Sequence, residues 1–541
     1  MTSVELAQKL NAPSLPRRLL LTSVCRPIGP KFGDGISVGY ELLHGQVTRL
    51  QGIFSPRIFQ NHFSLEYIAH NLDIPTAVLQ YPSMRELIRE LKRGYAYVGV
   101  SFIIPLFHRM KWVVSLIRQY SPESKIILGG YGTVLDDEIL RPYGDYICRE
   151  EGVGFIRRLL GEPEKSMPYH HPLIINCLKV YSLPLSPHGM IFAGLGCPNG
   201  CDFCLTSHFF RRRHIRLLPT GKDILDVIKA YQSHGVRKCT VIDEDFLLNK
   251  QRAMEFLQAV REENITPNLF VFASVKALSQ YKVEELLEMG IDGVWMGYEG
   301  RRSGFAKQTG RNIDDLIKEL QRHGINVLTS MIIGFDYQTP EVVQEELDDL
   351  IRLKPALAQF LIYTAIPGTP LYERIMGEKR LDRKFVEDQN AFYRRLTGFY
   401  GLVKHPNMSS EELERLQESC FRQDFVRLGP SIVRVLENAM LGYRRLKNST
   451  QAFLHRRAEQ YRQNLLEGRP GLFPARLLGP SPEARRLARE LYREICREFG
   501  TPSLVDHIKS WVALVMALWT AVTLQLDLFQ HPKLTRTTYR M

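Results

Sequence analysis

The feature that most restricts this chain is a group of three cysteines, Cys197, Cys201 and Cys204, in a glycine-rich segment. They follow the apolar run 190–193 with the spacing Cys-x3-Cys-x2-Cys. A [4Fe–4S] cube normally takes four protein thiolates. Only three are local here, so the pattern predicts a cluster with one iron open to a small molecule. A zinc knuckle without its fourth ligand and three ordinary buried cysteines are the alternatives.

With Phe203 directly before the last cysteine, the segment resembles the signature of the radical S-adenosylmethionine (radical SAM) enzymes. The resemblance continues over roughly residues 185–375. It implies that the open iron binds the amino and carboxylate groups of S-adenosylmethionine. The reduced cluster then cleaves this ligand to a 5′-deoxyadenosyl radical that abstracts hydrogen. An electron donor such as flavodoxin or ferredoxin is implied as a partner, whereas the motif names no substrate.

Length and cysteine usage indicate the class of protein. A chain of 541 residues is too long for one core, so two or three domains are expected. The six cysteines outside the motif are scattered and form no disulfide framework, which indicates a reducing compartment. The first residues have no basic stretch followed by an apolar core, so no signal peptide is expected. The predicted location is the cytoplasm, with the inner face of the membrane as the alternative.

The formal net charge of +13 raises the question of an anionic partner. Much of the excess comes from arginines in the last third, which alternate with acids at helical spacing, as in 483–490. A solvated helix face is the first interpretation of such a pattern. An anionic membrane surface or anionic substrate comes second and nucleic acid third. We therefore expect no nucleic-acid partner.

Residues 1–175 are expected to form a doubly wound, Rossmann-like parallel sheet. Four apolar runs alternate with helical stretches, and this alternation is typical of such sheets. Their ligands lie at the carboxyl ends of the strands, where Ser101, Gly129 and Gly130 fall. The predicted strands are 18–23, 76–79, 97–102 and 125–130. Ser83-Met-Arg-Glu86 predicts a capping box at the start of one of the helices between them.

Three pieces of this domain, 98–101, 127–132 and 145–152, resemble the cobalamin-binding domain that precedes the radical SAM domain in one large subgroup. The Asp-x-His-x-x-Gly element that gives cobalt a histidine in many cobalamin domains is absent, and Gln80-Tyr-Pro-Ser follows the second strand instead. Two interpretations stay open. The domain binds cobalamin without that histidine, or it keeps the fold and only closes the top of the radical site.

Residues 176–375 are expected to form a partial (β/α)6 barrel, with a domain boundary at the proline-rich segment 184–188. Six apolar runs recur with helices between them, and the cysteine segment follows the first. Residues at the carboxyl ends of barrel strands are placed for chemistry. The predicted strands are 190–195, 239–242, 269–274, 293–299, 327–333 and 360–363.

The resemblance assigns roles to residues at the ends of these strands. Asp243 would accept hydrogen bonds from the ammonium of S-adenosylmethionine. Ser274 and Glu299 resemble the ribose-binding positions, where a hydroxyl and a carboxylate suit a cis-diol. Gly334 lies in the stretch that resembles the adenine contact. Tyr363 could donate a hydrogen atom or line the pocket, and a packed barrel tyrosine is the alternative.

Other polar residues near the motif are given structural roles. Glu244 and Asp245 are expected mainly to cap the next helix. His208 and His214 flank three arginines, 211–213, in what is expected to be an exposed basic loop.

Residues 376–541 are expected to be mostly helical, with a capping box at Ser409-Ser-Glu-Glu412. One helix, 511–526, is apolar almost all round but shorter than the ~20 residues that a spanning helix needs. Interfacial insertion into a membrane and docking as a buried helix are both open.

Together these patterns predict an enzyme that functionalises an unactivated carbon. In the subgroup that the chain resembles, cobalamin-dependent methylation is the commonest outcome, and the apolar, basic tail favours a lipid-like small molecule as substrate. Carbon–carbon coupling or cyclisation without methyl transfer is the alternative, given the missing histidine. A non-catalytic iron–sulfur redox protein is the rival from another class.

Overall fold

The structure is a computed structural model that describes residues 15–59 and 62–541. The expectation about a signal peptide concerns residues 1–14, which lie outside the described residues. The described chain contains two large parallel sheets, one after the other along the sequence, and a helical carboxyl-terminal region. The predicted fold class is therefore confirmed.

The amino-terminal sheet is parallel in the strand order β2-β1-β3-β4-β5. Its strands are almost fully buried because helices cover both faces, as the apolar runs predict. The capping box at Ser83 is present, with Glu86 returning the hydrogen bond. The strands are β1 (Leu19–Ser23), β2 (Thr76–Gln80), β3 (Tyr97–Ser101), β4 (Lys125–Gly129) and β5 (Tyr146–Ile147), and the helices are α1 (Phe63–His70), α2 (Met84–Leu91), α3 (Phe107–Tyr120), α4 (Asp137–Leu140) and α5 (Gly152–Leu160).

The central sheet contains the six parallel strands of the predicted partial barrel, in the order β14-β13-β12-β11-β10-β7. The short pair β8 and β9 brackets the cysteine segment. These strands are β7 (Leu183–Phe192), β8 (Gly194–Leu195), β9 (Ile215–Arg216), β10 (Lys238–Ile242), β11 (Leu269–Phe272), β12 (Ile291–Glu299), β13 (Asn326–Ile333) and β14 (Leu357–Ile362). The helices between them are α6 (Leu205–Phe209), α7 (Gly221–Ser233), α8 (Lys250–Glu262), α9 (Val275–Leu278), α10 (Val283–Glu288), α11 (Ile313–Arg322) and α12 (Pro340–Arg352).

The expected boundary at 184–188 is wrong, because this proline-rich segment is part of β7. A strand that the sequence analysis missed, β6 (Ile175–Val180), pairs with it antiparallel at the sheet edge. The first half of β7 pairs only with β6, since β10 pairs with β7 from His188 onward. Proline is tolerated where one side of a strand has no ladder partner.

The carboxyl-terminal region is helical as predicted, and the capping box at Ser409 is present. The apolar helix α21 is longer than the predicted 511–526, because Ser503 and Asp506 form a further capping box at its start. By length and composition alone, it is the one helix in the described chain that could cross a membrane. The helices are α13 (Pro370–Gly377), α14 (Arg383–Glu387), α15 (Gln389–Arg395), α16 (Ser410–Leu428), α17 (Ser431–Leu446), α18 (Ala452–Gly468), α19 (Leu472–Leu478), α20 (Pro482–Phe499) and α21 (Leu504–Gln525).

The last residues depart from the helical prediction by forming a strand, β15 (Thr535–Tyr539). It pairs antiparallel with β2 over five residue pairs and becomes the edge of the amino-terminal sheet. Arg536 binds Glu90 at 2.8 and 2.9 Å, and the Tyr539 hydroxyl donates to Glu66 at 2.6 Å. These partners are more than 440 residues away in sequence, so no local sequence pattern indicates the pairing.

Candidate active site at the carboxyl edge of the central sheet

The three cysteines lie in the loop between β8 and α6, at the carboxyl edge of the central sheet. Cys197 and Cys201 are buried and Cys204 is partly exposed, and none of the cysteines in the described chain forms a disulfide. Burial raises the pKa of the Cys197 and Cys201 thiols to about 11. Because burial opposes the thiolate form, these sulfurs would ionise at neutral pH only with a cationic partner such as a metal centre.

Hydrogen bonds within the loop fix its shape. The Ser207 hydroxyl donates to the carbonyl of Cys197 at 2.9 Å, and the Cys204 amide donates to the carbonyl of Cys201 at 3.1 Å. Gly196 has φ +78°, and a Cβ there would lie 2.3 Å from the carbonyl oxygen of Arg213. The loop is thus built by its own backbone before any ligand enters.

A single metal ion and an iron–sulfur cluster require different arrangements of the ligands in the cysteine loop. Within the described ranges, no three His, Cys, Asp or Glu side chains converge closely enough to hold one metal ion. A structural zinc ion needs four ligands at about 2.0–2.3 Å, so the geometry does not favour the zinc-knuckle alternative. A cubane cluster spreads its thiolates over a larger volume, and three free thiols in one prefolded loop fit that requirement.

Asp202, between two of the cysteines, connects the loop to the last barrel strand. The hydroxyl of Tyr363, directly after β14, donates to its carboxylate at 2.7 Å. Arg374 lies 3.5 Å from the same carboxylate, and the Asp202 carbonyl accepts from the amide of Leu371 at 3.1 Å. Burial and the Asp202 carboxylate raise the pKa of Tyr363 above its usual range. The phenol therefore stays protonated and is engaged in holding the loop.

Phe203 forms part of an aromatic wall beside the cysteines. Its ring contacts Phe305 at 5.3 Å and Tyr363 at 5.9 Å, and the Lys307 ammonium lies 5.4 Å from its centroid. Lys307 forms an ion pair with Glu299. Burial opposes the charge, but Glu299 and Cys201 raise the pKa of Lys307 above its usual value. A lysine that the sequence analysis did not single out thus places a buried cation against the thiols.

Glu299 itself has an unusual backbone conformation. It ends β12 with φ +57° and a register shift against β13, and it is only 3% exposed. The left-handed region costs a residue with a side chain about 1–3 kcal/mol and is found where the surroundings require it. Here the kink directs the carboxylate to Lys307 rather than to solvent.

Asp243, at the end of β10, is fully buried in a charged network. One carboxylate oxygen accepts from Arg252 at 2.6 Å and from His214 at 3.1 Å. Burial opposes ionisation, but the hydrogen bonds from His214 and Arg252 hold the pKa of Asp243 below its usual value. His214, expected in an exposed basic loop, is therefore a partner of Asp243. The oxygen shared by these two donors is occupied before any ligand binds.

Glu244 and Asp245 do not cap the next helix, because Asn249 caps α8 through the amide of Arg252. Asp245 instead accepts from the side chain of Asn199 at 2.8 Å and from the amide of Ser274 at 2.9 Å. It joins the cysteine loop to the end of the next strand. Burial and the nearby Asp243 raise the pKa of Glu244 to about 7.

Ser274 and Gly334 lie at the ends of β11 and β13. The Ser274 hydroxyl accepts from the amide of Ala277 at 3.1 Å and caps α9. The Gly334 amide donates to the side chain of Gln338 at 2.6 Å. The topology brings Asp243, Ser274, Glu299, Gly334 and Tyr363 to one edge with the cysteine loop. A cleft of about 230 Å³ opens at this edge. Its lining residues are Gly196, Pro198, His214, Asp243, Asp245, Leu248 and Asn249.

At the carboxyl edge of the amino-terminal sheet, β3 and β4 end in small, uncharged residues. Ser101 and Gly129 are neighbours across β3 and β4. A Cβ at Gly130 would lie 2.6 Å from the carbonyl oxygen of Phe102, whereas a Cβ at Gly129 would meet no atom of the described chain within 4 Å. Gly130 thus serves the packing of its own domain, and Gly129 faces open space.

The turn 130–134 brings the two sheets together. The Tyr131 ring contacts Phe209 at 5.2 Å, just after the cysteines, and lies beside Glu244. A Cβ at Gly368, in the loop after β14, would be 2.3 Å from the side chain of Val134. The amino-terminal domain therefore covers part of the edge that holds the cysteine loop.

Comparisons with known proteins agree with this architecture. Residues 191–350 match the model of the Radical SAM superfamily. The chain is 25% identical over 246 residues to an uncharacterized methyltransferase, PH0819, of Pyrococcus horikoshii, covering 44% of this chain and 52% of that protein. It is 25% identical over 214 residues to the hopanoid C-2 methylase of Rhodopseudomonas palustris, covering 37% of this chain and 40% of that protein. The chain thus spans about half or less of these relatives.

One solved structure is similar at low sequence identity: the radical S-adenosylmethionine methyltransferase TsrM from Kitasatospora setae with cobalamin and a [4Fe–4S] cluster bound. Identity is 15%, the TM-score is 0.49, and the match covers 88% of this chain and all of that one. The superfamily match begins in β7 and ends in α12, the part of the chain that carries the cysteine loop. The part of the chain that matches the Radical SAM superfamily is therefore this central domain.

Proposed function

We propose that the chain is a radical SAM methyltransferase that activates an unreactive C–H bond of a hydrophobic small molecule. The observation that carries the proposal is the cysteine loop: three free thiols, in a backbone held by its own hydrogen bonds, lie beside the Lys307–Glu299 pair at the strand ends. A redox protein that only stores electrons has no need of such a charged surrounding.

The residues of the site have separate proposed roles in binding the cluster. Cys197, Cys201 and Cys204 would hold a [4Fe–4S] cluster, which supplies the electron that cleaves S-adenosylmethionine to a 5′-deoxyadenosyl radical. The Lys307 ammonium, buried beside these thiols, offsets part of their negative charge.

The proposed ligand contacts follow from the groups at the strand ends. Glu299 and Ser274 are the proposed ribose contacts, and Gly334 offers its backbone to the adenine. Asp243, whose carboxylate is held by Arg252 and His214, contributes the negative potential that attracts the ligand's ammonium. Tyr363 positions the cysteine loop through Asp202.

Cobalamin is the proposed methyl carrier, because it supplies a cobalt that accepts and releases a methyl group. Gly129 faces open space at the edge of the amino-terminal sheet, and the adjoining turn 130–134 contacts the cysteine-loop side of the site. A flat ring can approach the backbone at a position without a side chain. The cofactor would then lie between the two sheets, within reach of a substrate held there.

The substrate class rests on two further observations. The hopanoid C-2 methylase is a relative that acts on a polycyclic lipid by its name. The apolar helix α21 gives the chain a surface suited to a membrane. We therefore propose a lipid-like substrate in lipid biosynthesis, an enzyme that works in the cytoplasm at the inner membrane face, and flavodoxin or ferredoxin as electron donor.

Anaerobic purification from cells supplied with cobalamin tests this function. We expect four iron and four sulfide per chain, about one cobalt, and formation of 5′-deoxyadenosine from S-adenosylmethionine under dithionite. With a lipid extract as substrate, S-adenosylhomocysteine should accumulate beside 5′-deoxyadenosine, since one ligand supplies the radical and a second the methyl group. A bound cluster that leaves S-adenosylmethionine intact would contradict the proposal and favour the redox protein.

Radical coupling or cyclisation without methyl transfer is the second candidate. The observation that favours it is Gln80, the last residue of β2, near the place where many cobalamin domains have the cobalt-binding histidine. Its amide donates to Glu66 at 2.6 Å and accepts from the His62 amide at 2.7 Å, so it is engaged with the protein. Iron and 5′-deoxyadenosine without cobalt or S-adenosylhomocysteine would select this candidate.

A further inference from the structure

The helix α21 presents its large apolar side chains to solvent. Trp511 is 61% exposed, Val515 60% and Leu518 53%. Helices of soluble proteins turn such side chains towards the core. The exposed set continues along one side of the helix: Leu504, Val505, Ile508, Trp511, Val512, Val515, Leu518, Trp519 and Val522.

The opposite side of α21 packs on the protein, and its fully buried residues are small. Ala513, Ala517, Thr520 and Thr523 are its buried residues. The Thr520 hydroxyl lies 2.9 Å from the hydroxyl of Ser182, in the turn between β6 and β7. The face of α21 with the small buried residues thus packs on the rest of the protein, and the face with the large apolar residues is exposed to solvent.

Neighbouring segments extend this surface. Leu477 and Leu478 of α19, which packs against α21, are exposed, as are Leu526, Leu528 and Phe529 after the helix. A helix of 22 residues is about 33 Å long, so these side chains form one continuous apolar strip of about that length. Contiguous exposed apolar patches mark interaction sites. We call this surface, residues 504–529 with Leu477 and Leu478, the apolar ridge.

The charges around the ridge suit an anionic lipid surface. Between Asp506 and Asp527 the sequence has no carboxylate, and Lys509 is exposed among the apolar residues. Asp506 is neutralised by Arg469 at 2.6 Å, and Asp527 lies 3.7 Å from Lys31. Tryptophans at the edge of an apolar surface are typical of the membrane interface, and two of the four in this chain lie here.

The topology decides between crossing a membrane and lying on it. The chain after α21 returns to the amino-terminal sheet, where β15 pairs with β2 over five residues. The start of the helix is joined to the body through Arg469 and Asp506. If α21 crossed a bilayer, β15 and β2 would lie on opposite sides of it. Both ends of the helix therefore stay on one side.

We propose that the apolar ridge binds the surface of a phospholipid bilayer, with α21 lying in the membrane plane. This inference does not depend on the proposed chemistry, since it uses no residue of the cysteine loop. If the enzyme acts on a lipid, the ridge holds it at the surface into which that lipid partitions. The partner is the bilayer itself, and a second copy of the chain is the occupant that the test must exclude.

Sedimentation with vesicles of phosphatidylethanolamine and phosphatidylglycerol (3:1) tests the proposal on the full chain. We expect binding, and we expect the variant Val515→Gln/Leu518→Gln/Val522→Gln to bind at least about 30-fold more weakly, since each side chain contributes apolar area. The control Leu185→Gln/Val386→Gln changes equally exposed apolar residues elsewhere and should bind within about twofold of wild type. Because all five positions are exposed, these variants are expected to fold, which far-UV circular dichroism checks.

Three results would overturn the proposal. The first is wild-type protein that does not sediment with the vesicles. The second is a dimer in solution that the triple substitution dissociates, which would assign the ridge to a second copy. The third concerns the in-plane geometry: a protease cleavage site added after Met541 should be cut on protein bound to sealed vesicles, and protection of that site would show that α21 crosses. None of these readouts requires a cluster or S-adenosylmethionine, so they are separate from the test of the catalytic function.

Discussion

The two parallel sheets differ in the side chains at the strand ends that face each other across the turn 130–134. At the carboxyl edge of the central sheet, Asp243 is buried with Arg252, and Glu299 with Lys307. At the carboxyl edge of the amino-terminal sheet, the backbone of Gly129 faces open space. The ends of β10 and β12 thus carry oriented charges, whereas β3 and β4 end in the small, uncharged residues Ser101 and Gly129. The ion pairs of the amino-terminal edge, Arg26–Glu86 and Arg109–Asp34, lie at other strand ends.

The difference indicates what each edge can bind. Buried ion pairs are costly unless their geometry is fixed, so they mark a place where an ionic ligand or cluster is expected. A zwitterionic ligand beside a thiolate-bound cluster meets that description. The open strand end at Gly129 favours a large ring system that binds by contact area. The two sites would then meet across the turn 130–134.

The largest expected effect follows from the cysteines themselves. Replacing Cys197, Cys201 or Cys204 by Ala should abolish stable cluster binding, because two thiolates cannot hold the cube. Iron and sulfide analysis after anaerobic reconstitution measures this, with Cys177→Ala as the control in an exposed cysteine. Retention of four iron by any of the three variants would mean that another residue serves as ligand.

Arg252→Met tests whether the charged edge needs its counter-ions. The substitution leaves Asp243 buried with His214 as its remaining side-chain partner, and breaking a buried pair in this way costs about 3–5 kcal/mol. Urea unfolding measures the loss. Arg422→Met, which breaks the exposed pair with Glu418, should cost less than about 0.5 kcal/mol. Equal costs for the two variants would mean that the buried pair contributes no more to stability than an exposed one.

Glu299→Gln separates binding of S-adenosylmethionine from binding of the cluster. The amide keeps the shape but loses the charge that pairs with Lys307 and the acceptor proposed for the ribose. We expect S-adenosylmethionine to bind about 10–100-fold more weakly, as hydrogen bonds to charged groups contribute about 1.5–3 kcal/mol. Equilibrium dialysis on the reconstituted protein gives the affinity, with unchanged iron content and with Glu345→Gln as an exposed control. Unchanged affinity would place the ribose elsewhere.

Gly129→Val tests whether the open strand end at Gly129 is needed to hold cobalamin. The new side chain enters open space in the protein alone, so folding is retained, but it would block a flat ring at the strand end. We expect cobalamin retention to fall about 10-fold or more while iron content stays constant. Gly377→Val, also in open space but at the end of α13, should change neither metal. If Gly129→Val keeps its cobalt, the amino-terminal domain acts only as a cover.

Regular features of this molecule could be read from the sequence, because their causes are local. Apolar runs of strand length predicted all six barrel strands, and Ser-x-x-Glu patterns predicted two capping boxes. The strand β6 was missed because its partner segment, the first half of β7, contains prolines and was interpreted as a domain boundary. The strand β15 was missed because its stability comes from β2, far away in sequence.

The sequence predicted at which strand ends the candidate site residues lie, but not which side chains they pair with. Asp243, Ser274 and Glu299 lie where expected, because parallel strands gather their carboxyl ends at one edge. The pairing of Asp243 with His214 depends on how the segment after the cysteines folds back. Lys307 lies in a loop without periodicity, so no spacing indicates that its ammonium reaches Glu299.

The smallest expected effect is a pH dependence at the seam between the sheets. His171 is buried, and its Nε2 accepts from the amide of Phe192, the last residue of β7. Burial lowers the pKa of His171 to about 4 from an ordinary value near 6.5, so the folded protein requires the neutral ring. The unfolded chain takes up a proton below pH 6.5 and the folded chain does not until about pH 4, so stability is lost as the pH falls through this window. Between pH 6.5 and 5.5 this one group lowers the free energy of unfolding by about 1 kcal/mol.

His171→Gln keeps an acceptor for Phe192 without titrating, and should reduce the loss in unfolding free energy by that amount. The exposed control His234→Gln should not. If the two variants show the same pH slope as wild type, the charged network around Asp243, rather than a neutral histidine, determines the acid stability of this edge.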